Sequence, residues 1–99
     1  MHLKFEDKEL ERLAYEQDYQ LARWSSDITR AYRRVINLIS NATDERDIRG
    51  FKGLRLEKLK GKRKGTLSVR INDQHRLVLR FEAIEQDKFA VVIEAIDYH

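Results

Sequence analysis

The hydrophobic period changes at Leu67, and that change limits the folds open to this 99-residue chain. Upstream, Ile28, Ala31, Tyr32, Val35, Leu38 and Ile39 recur at intervals of three and four, the stripe of an amphipathic helix. From Leu67 the interval is two. Leu67, Val69 and Ile71 point one way, while Ser68, Arg70 and Asn72 point the other. After a tight turn at Asn72-Asp73-Gln74, Leu77, Leu79 and Phe81 alternate with Arg76, Val78 and Arg80. A helical block followed by a strand block predicts an α+β fold: N-terminal helices packed on a small, twisted, mainly antiparallel sheet.

Finer signals fill in the order. Leu3-Lys4-Phe5 predicts a short first strand. Asp7 caps a helix to about Glu16 that buries Leu10, Leu13 and Ala14. Ser25, Ser26 and Asp27 are N-cap types for the next helix, Asn41 marks its end, and Thr43 caps a further turn, Asp44 to Ile48, stopped by Gly50. Tyr15, Tyr19, Trp24 and Tyr32 read as helix-packing aromatics. Gly50, Gly53, Gly61 and Gly65 cluster in connecting structure, with a brief extended piece at 55–59. Phe89 to Ile96 is apolar on both faces, as suits a strand inside a sheet. With no repeat and no linker, residues 1–99 are expected to form a single domain.

Composition narrows the chemistry. Without cysteine there is no disulfide framework and no thiolate metal site, and no His/Asp/Glu spacing suggests a metal, so neither metal nor cofactor is expected. The apolar runs are too short to cross a bilayer and the first residues are charged, so a cytoplasmic protein without membrane contact is expected. Residues 55–80 carry nine cations against Glu57 and Asp73, a local charge of +7 in a chain whose net charge is +3. That asymmetry points to a polyanionic partner met by one side of the molecule; a solvated basic loop is the plainer alternative. Asp97-Tyr98-His99, at the end of the apolar strand, set three proton-transfer groups near this charge, an arrangement suited to chemistry on a phosphodiester.

Four stretches carry a family resemblance: Arg55-Leu56-Glu57-Lys58-Leu59-Lys60-Gly61, then Gly65-Thr66-Leu67-Ser68-Val69-Arg70-Ile71-Asn72, then Arg76-Leu77, then Ile96-Asp97-Tyr98-His99. In that order they resemble HigB-type toxins of the RelE/ParE superfamily of type II toxin–antitoxin systems. The resemblance implies a metal-independent endoribonuclease that cleaves messenger RNA on the ribosome and thereby inhibits translation. It also implies a helix-turn-helix, HigA-like antitoxin as partner, and a toxin that is monomeric when active. Its catalytic group maps onto His99, Asp97, Tyr98, Lys60 and Arg70. Glu57 stands where some HigB proteins have histidine, which leaves the acid–base arrangement open.

RNA cleavage of this kind needs a base for the 2′-hydroxyl, an acid for the 5′-oxygen and cations at the phosphate. His99 is the expected acid or base. Asp97 shares its strand parity and is expected to assist, with Tyr98 ranked lower because consecutive strand residues face opposite ways. Arg55, Lys58, Lys62, Arg63, Lys64, Arg76 and Arg80 are expected to bind RNA, with Arg76 and Arg80 alternatively paired to Glu82 and Glu94. His75 reads as structural or RNA-stacking. Plainer readings stand beside these: a frayed His99, a Tyr98 capping the core, an Asp97 paired to an arginine. A gyrase inhibitor on the same scaffold, or a non-catalytic RNA- or ribosome-binding domain, are the alternative functions.

Overall fold

In the computed structural model, which describes residues 1–98, helices cover one face of a five-stranded sheet. The chain runs through β1 (His2–Phe5), α1 (Lys8–Tyr15), α2 (Ser26–Asn41), α3 (Glu45–Gly50), β2 (Glu57–Lys58), β3 (Leu67–Arg70), β4 (His75–Ile84) and β5 (Asp87–Asp97). Single 3-10 turns occupy Lys52–Leu54 and Gly61–Arg63. The sheet order is β1-β5-β4-β3-β2, with β1 parallel to β5 and the other pairs antiparallel. This is the α+β architecture that the change of period predicts, and β5 lies inside the sheet as its apolar run requires.

The helices form where the caps predict. The Asp7 carboxylate accepts from the Leu10 amide, and the Ser25 hydroxyl from the Ile28 amide. The third helix differs from expectation: Asp44, not Thr43, is its N-cap, and Gly50 is its last residue rather than a stop beyond it. Asp44 wins because its carboxylate also pairs with Arg46, which Thr43 cannot do.

The stripes of α1 and α2 meet one face of the sheet. Leu10, Leu13, Tyr32, Val35, Ile36 and Ile39 pack with Val69, Leu77, Leu79, Ala90 and Val92 in a single core cluster. Tyr32 donates to the Leu10 carbonyl at 2.7 Å, joining the two helices inside that core. Arg33, on the polar side of the α2 wheel, is more than a solvated charge. Its guanidinium donates to the carbonyls of Leu13, Glu16, Gln17 and Tyr19, closing the end of α1 and ordering the segment that leads to Trp24. Tyr15 departs from the core expectation: it is mostly exposed, with its ring edge-on to Phe5.

One irregularity matters for the site. Pairing of β4 with β5 shifts between Val78 and Leu79: Val78 faces Glu94 while Leu79 faces Val92, so Ile93 is the extra residue of a β-bulge. A one-residue slip sends every later side chain to the opposite face. Before the bulge, Ala90 and Val92 lie under the helices. After it, Ala95 takes that side, opposite Leu77, and Glu94 and Ile96 move to the open side with Val78 and Arg76.

Candidate functional site

The open face of the sheet is built row by row from cross-strand partners. One row is Ile96, Arg76 and Arg70 on β5, β4 and β3; the next is Glu94, Val78, Ser68 and, on β2, Glu57. The Tyr98 amide donates to the Gln74 carbonyl, which continues the ladder one step past the last strand residue. Alternation then carries Tyr98 to the open side, diagonal to Arg76 and roughly 7–8 Å from it between Cα atoms. Tyr98 is 50% exposed.

Asp97 goes the other way. It faces His75 across the strands, with its Oδ2 3.8 Å from His75 Nε2. His75 is 7% exposed and lies edge-on to Trp24, on the helix-covered side. Asp97, expected to assist His99, therefore lies on the helix-covered side with His75, and the bulge at Ile93 sets that orientation. His99, the expected acid or base, lies outside the described residues.

His75 itself is a structural residue of the turn. Asn72 Oδ1 accepts from the Gln74 and His75 amides at 2.9 and 2.8 Å and lies 3.0 Å from His75 Nδ1. This Asx turn sets the pitch of the β3–β4 hairpin, and with it the height of Gln74, to which Tyr98 is tied.

The cations divide into two groups. Arg80 is held between Glu6 and Glu82, both at 3.0 Å, and Lys4 adds a further contact to Glu82. That half of the face is neutralised, so the expected cationic surface does not extend to Arg80. Arg76 pairs with neither Glu82 nor Glu94. It donates instead to Ser68 Oγ at 2.8 Å, the Ser68 carbonyl at 3.2 Å and the Arg55 carbonyl at 2.5 Å. Arg55 has φ 46°, a left-handed backbone unusual for a side chain of its size, and the Arg76 bond holds it there. Arg76 thus braces the sheet and orients Arg55.

Arg70 pairs with Asp73, and this hydrogen bond holds the Asp73 carboxyl below the usual carboxylate range. Asp73 is wholly at the surface, so an incoming phosphate can displace it. Lys58, Lys60, Lys62 and Lys64 are exposed and make no ion pair among the described residues. With Leu59, Gly61, Gly65 and Thr66, three of them border a hollow of about 480 Å³. Gly61 and Gly65 bend the loop there with φ of 66° and 91°. Arg63, at the loop tip, reaches Glu94 on β5 at 2.6 Å.

Sequence reasoning places Asn72 in a tight turn and offers Glu94 as a partner for Arg76 or Arg80, but it misses the Asn72 contacts to His75 and the pairing of Glu94 with Arg63. Glu94 is the one carboxylate inside the apolar run Phe89–Ile96, and Asn72 opens an Asn-Asp-Gln turn; both signals are present in the sequence. Among the described residues no cluster of His, Cys, Asp or Glu fits a metal ion, and no helix is long and apolar enough to cross a membrane.

Comparison with known proteins adds a lineage to this geometry. Residues 3–99 match the family described as "RelE-like toxin of type II toxin-antitoxin system HigB". The chain is 38% identical over 81 residues to Toxin HigB-1 of Vibrio cholerae serotype O1 (strain ATCC 39315 / El Tor Inaba N16961), covering 82% of this chain and 84% of that protein. Its fold is similar to a YoeB/ParE toxin from Agrobacterium tumefaciens, with a TM-score of 0.60 and 20% identity over the whole of both chains. It is similar too to a chain of the heterotetrameric YoeB-YefM toxin-antitoxin complex from Staphylococcus aureus, with a TM-score of 0.57 and 22% identity, covering 100% of this chain and 97% of that one.

Proposed function

We propose, from the premise that this chain belongs to the HigB-like toxins of type II toxin–antitoxin systems, that it is an endoribonuclease cutting messenger RNA on the ribosome. The observation that carries this reading is the gathering of Arg70, Arg76 and Tyr98 on the face of the sheet away from the helices, beside a loop whose lysines make no ion pair among the described residues. A phosphodiester laid along that face meets guanidinium and ammonium groups at the phosphate and an exposed phenol for a neighbouring base.

In this reading Arg70 exchanges Asp73 for the scissile phosphate, and Lys60 adds charge as the transition state develops. Tyr98 stacks on a base or relays a proton. His99 serves as general acid or base. Asp97, turned toward His75, anchors the terminal strand instead of touching RNA. Glu57, in the same row as Ser68, sits at the margin and tempers the positive potential. The 2′-hydroxyl attacks the adjacent phosphorus, the 5′-oxygen leaves with a proton, and a 2′,3′-cyclic phosphate remains.

The proposed partner is a cognate antitoxin, a helix-turn-helix protein of the HigA kind. Membership of the family supports an antitoxin, and a similar fold occurs in a toxin–antitoxin complex. The toxin acts as a monomer in the cytoplasm.

Inducible expression followed by mapping of mRNA 5′ ends tests the reading. In-frame cuts are expected, and His99→Ala and Arg70→Ala are expected to abolish them. Growth arrest with DNA damage and intact mRNA would refute the nuclease in favour of gyrase inhibition. Ribosome association with neither cuts nor arrest would leave a binding domain.

A further inference from the structure

The loop between β2 and β3 is longer in reach than its place in the sheet suggests. It leaves β2 at the sheet edge and enters β3, yet Arg63 at its tip bonds Glu94 on β5, two strands further in. Strands lie about 4.8 Å apart, so β5 runs roughly 10 Å from β3 across that face, a gap that the loop backbone and the Arg63 and Glu94 side chains close together. Ser68 and Val78 stand in the same row as Glu94, between β5 and the sheet edge, and Arg76 lies on Ser68. Ser68 and Val78 are 0% and 1% exposed although they lie on the side away from the helices, and Val78 stands apart from the main core cluster. An uncovered face would leave them wet.

Among the described residues, the loop's other hydrogen bonds stay within it. Arg63 and Lys64 donate to the carbonyls of Lys60 and Gly61. The Thr66 amide and hydroxyl both donate to the Arg63 carbonyl, and the Leu59 amide donates to Thr66. Among the described residues, the Arg63–Glu94 pair is the polar link between this loop and β5. The geometry points to Glu94 as a positioning residue: through Arg63 it clasps the lysine loop over the sheet, setting Lys60, Lys62 and Lys64 against an RNA strand held by Arg70 and Tyr98. This inference rests on the nuclease reading for its substrate but not for the clasp itself.

The clasp predicts a sign opposite to simple electrostatics. Glu94→Gln removes a negative charge from an RNA-facing surface, which by charge alone strengthens RNA binding. Loss of the clasp weakens it, because the lysines are no longer held in place. The pair is half exposed, so the effect is modest, about fivefold at most.

Two measurements on the whole chain decide the matter. Amide exchange across residues 60–66 is expected to quicken about fivefold in Glu94→Gln at unchanged melting temperature. The charge swap Arg63→Glu with Glu94→Arg is expected to restore slow exchange. Affinity for a single-stranded RNA oligonucleotide is expected to fall in Glu94→Gln and to recover in the swap. Unchanged exchange, or tighter RNA binding by Glu94→Gln, overturns the clasp. Should exchange follow the clasp while the parent chain leaves mRNA uncut, the nuclease reading fails and the clasp stands.

Discussion

Removing the Tyr32 hydroxyl yields a stability difference whose sign depends on pH. Tyr32 is fully buried and donates to the Leu10 carbonyl at 2.7 Å. Burial, with Asp7 and Tyr15 nearby as lesser causes, pushes its phenol far above the ordinary tyrosine value. At neutral pH, Tyr32→Phe forfeits one buried hydrogen bond and opens almost no cavity. The cost is about 1 kcal/mol, which for a domain of this size lowers the melting temperature by ~4–8 °C. Above about pH 10 the balance changes. The unfolded phenol ionises and the folded one does not, so the native protein loses about 1.4 kcal/mol for each further pH unit. Phenylalanine carries no such penalty. The two denaturation midpoints should converge and cross near pH ~10.6, where the ionisation penalty equals the hydrogen bond. Urea unfolding of both proteins between pH 7 and 11.5 reads this directly. Curves that stay parallel would mean that Tyr32 ionises freely in the native state, and equal stability at pH 7 would mean that its hydroxyl has no partner in solution.

Other substitutions separate the groups on the open face. Arg80→Ala should leave the log–log salt slope unchanged, because Glu6 and Glu82 hold its guanidinium in place of a phosphate, whereas Lys62→Ala should flatten that slope by about 0.7; anisotropy titrations at several salt concentrations distinguish them. Tyr98→Ala should cost roughly five- to a hundredfold in oligonucleotide affinity if a base stacks on the ring, and Asp97→Asn far less, since it faces His75; the reverse order would sink the assignment of faces. Asn72→Ala strips three acceptor contacts from the β3–β4 turn and should destabilise the protein by ~1–3 kcal/mol in thermal melts.

Much of the fold can be read from local rules because local rules decide it. The stripe from Ile28 to Ile39 has one way to bury itself, and Asp7 and Ser25 cap where their side chains reach free amides. The alternation of Leu77 and Leu79 with Arg76 and Val78 defines two faces without knowledge of any partner. The site is less legible, because its geometry depends on pairings between distant segments. Arg63 and Glu94 are 31 positions apart, and Arg80 and Glu6 are 74 apart. Nothing local says that Arg80 is neutralised while Arg70 keeps an exchangeable partner. The run Val91-Val92-Ile93 offers no alternation, so a bulge there leaves no trace in hydrophobic pattern alone.

The bulge nevertheless has a physical cause within the strand. Ala90 and Val92 lie under the helices, and regular alternation would send Glu94 there next. An unpaired carboxylate in that core would cost several kcal/mol. Inserting Ile93 as an extra residue costs one broken step of the ladder and returns Glu94 to the open face, where Arg63 meets it. The same slip carries Tyr98 to the side of Arg70 and Arg76 and turns Asp97 toward His75. One carboxylate in the apolar stretch of β5 from Phe89 to Ile96 therefore accounts for two features at once: where the lysine loop is pinned, and which of Asp97 and Tyr98 lies on the side of Arg70 and Arg76.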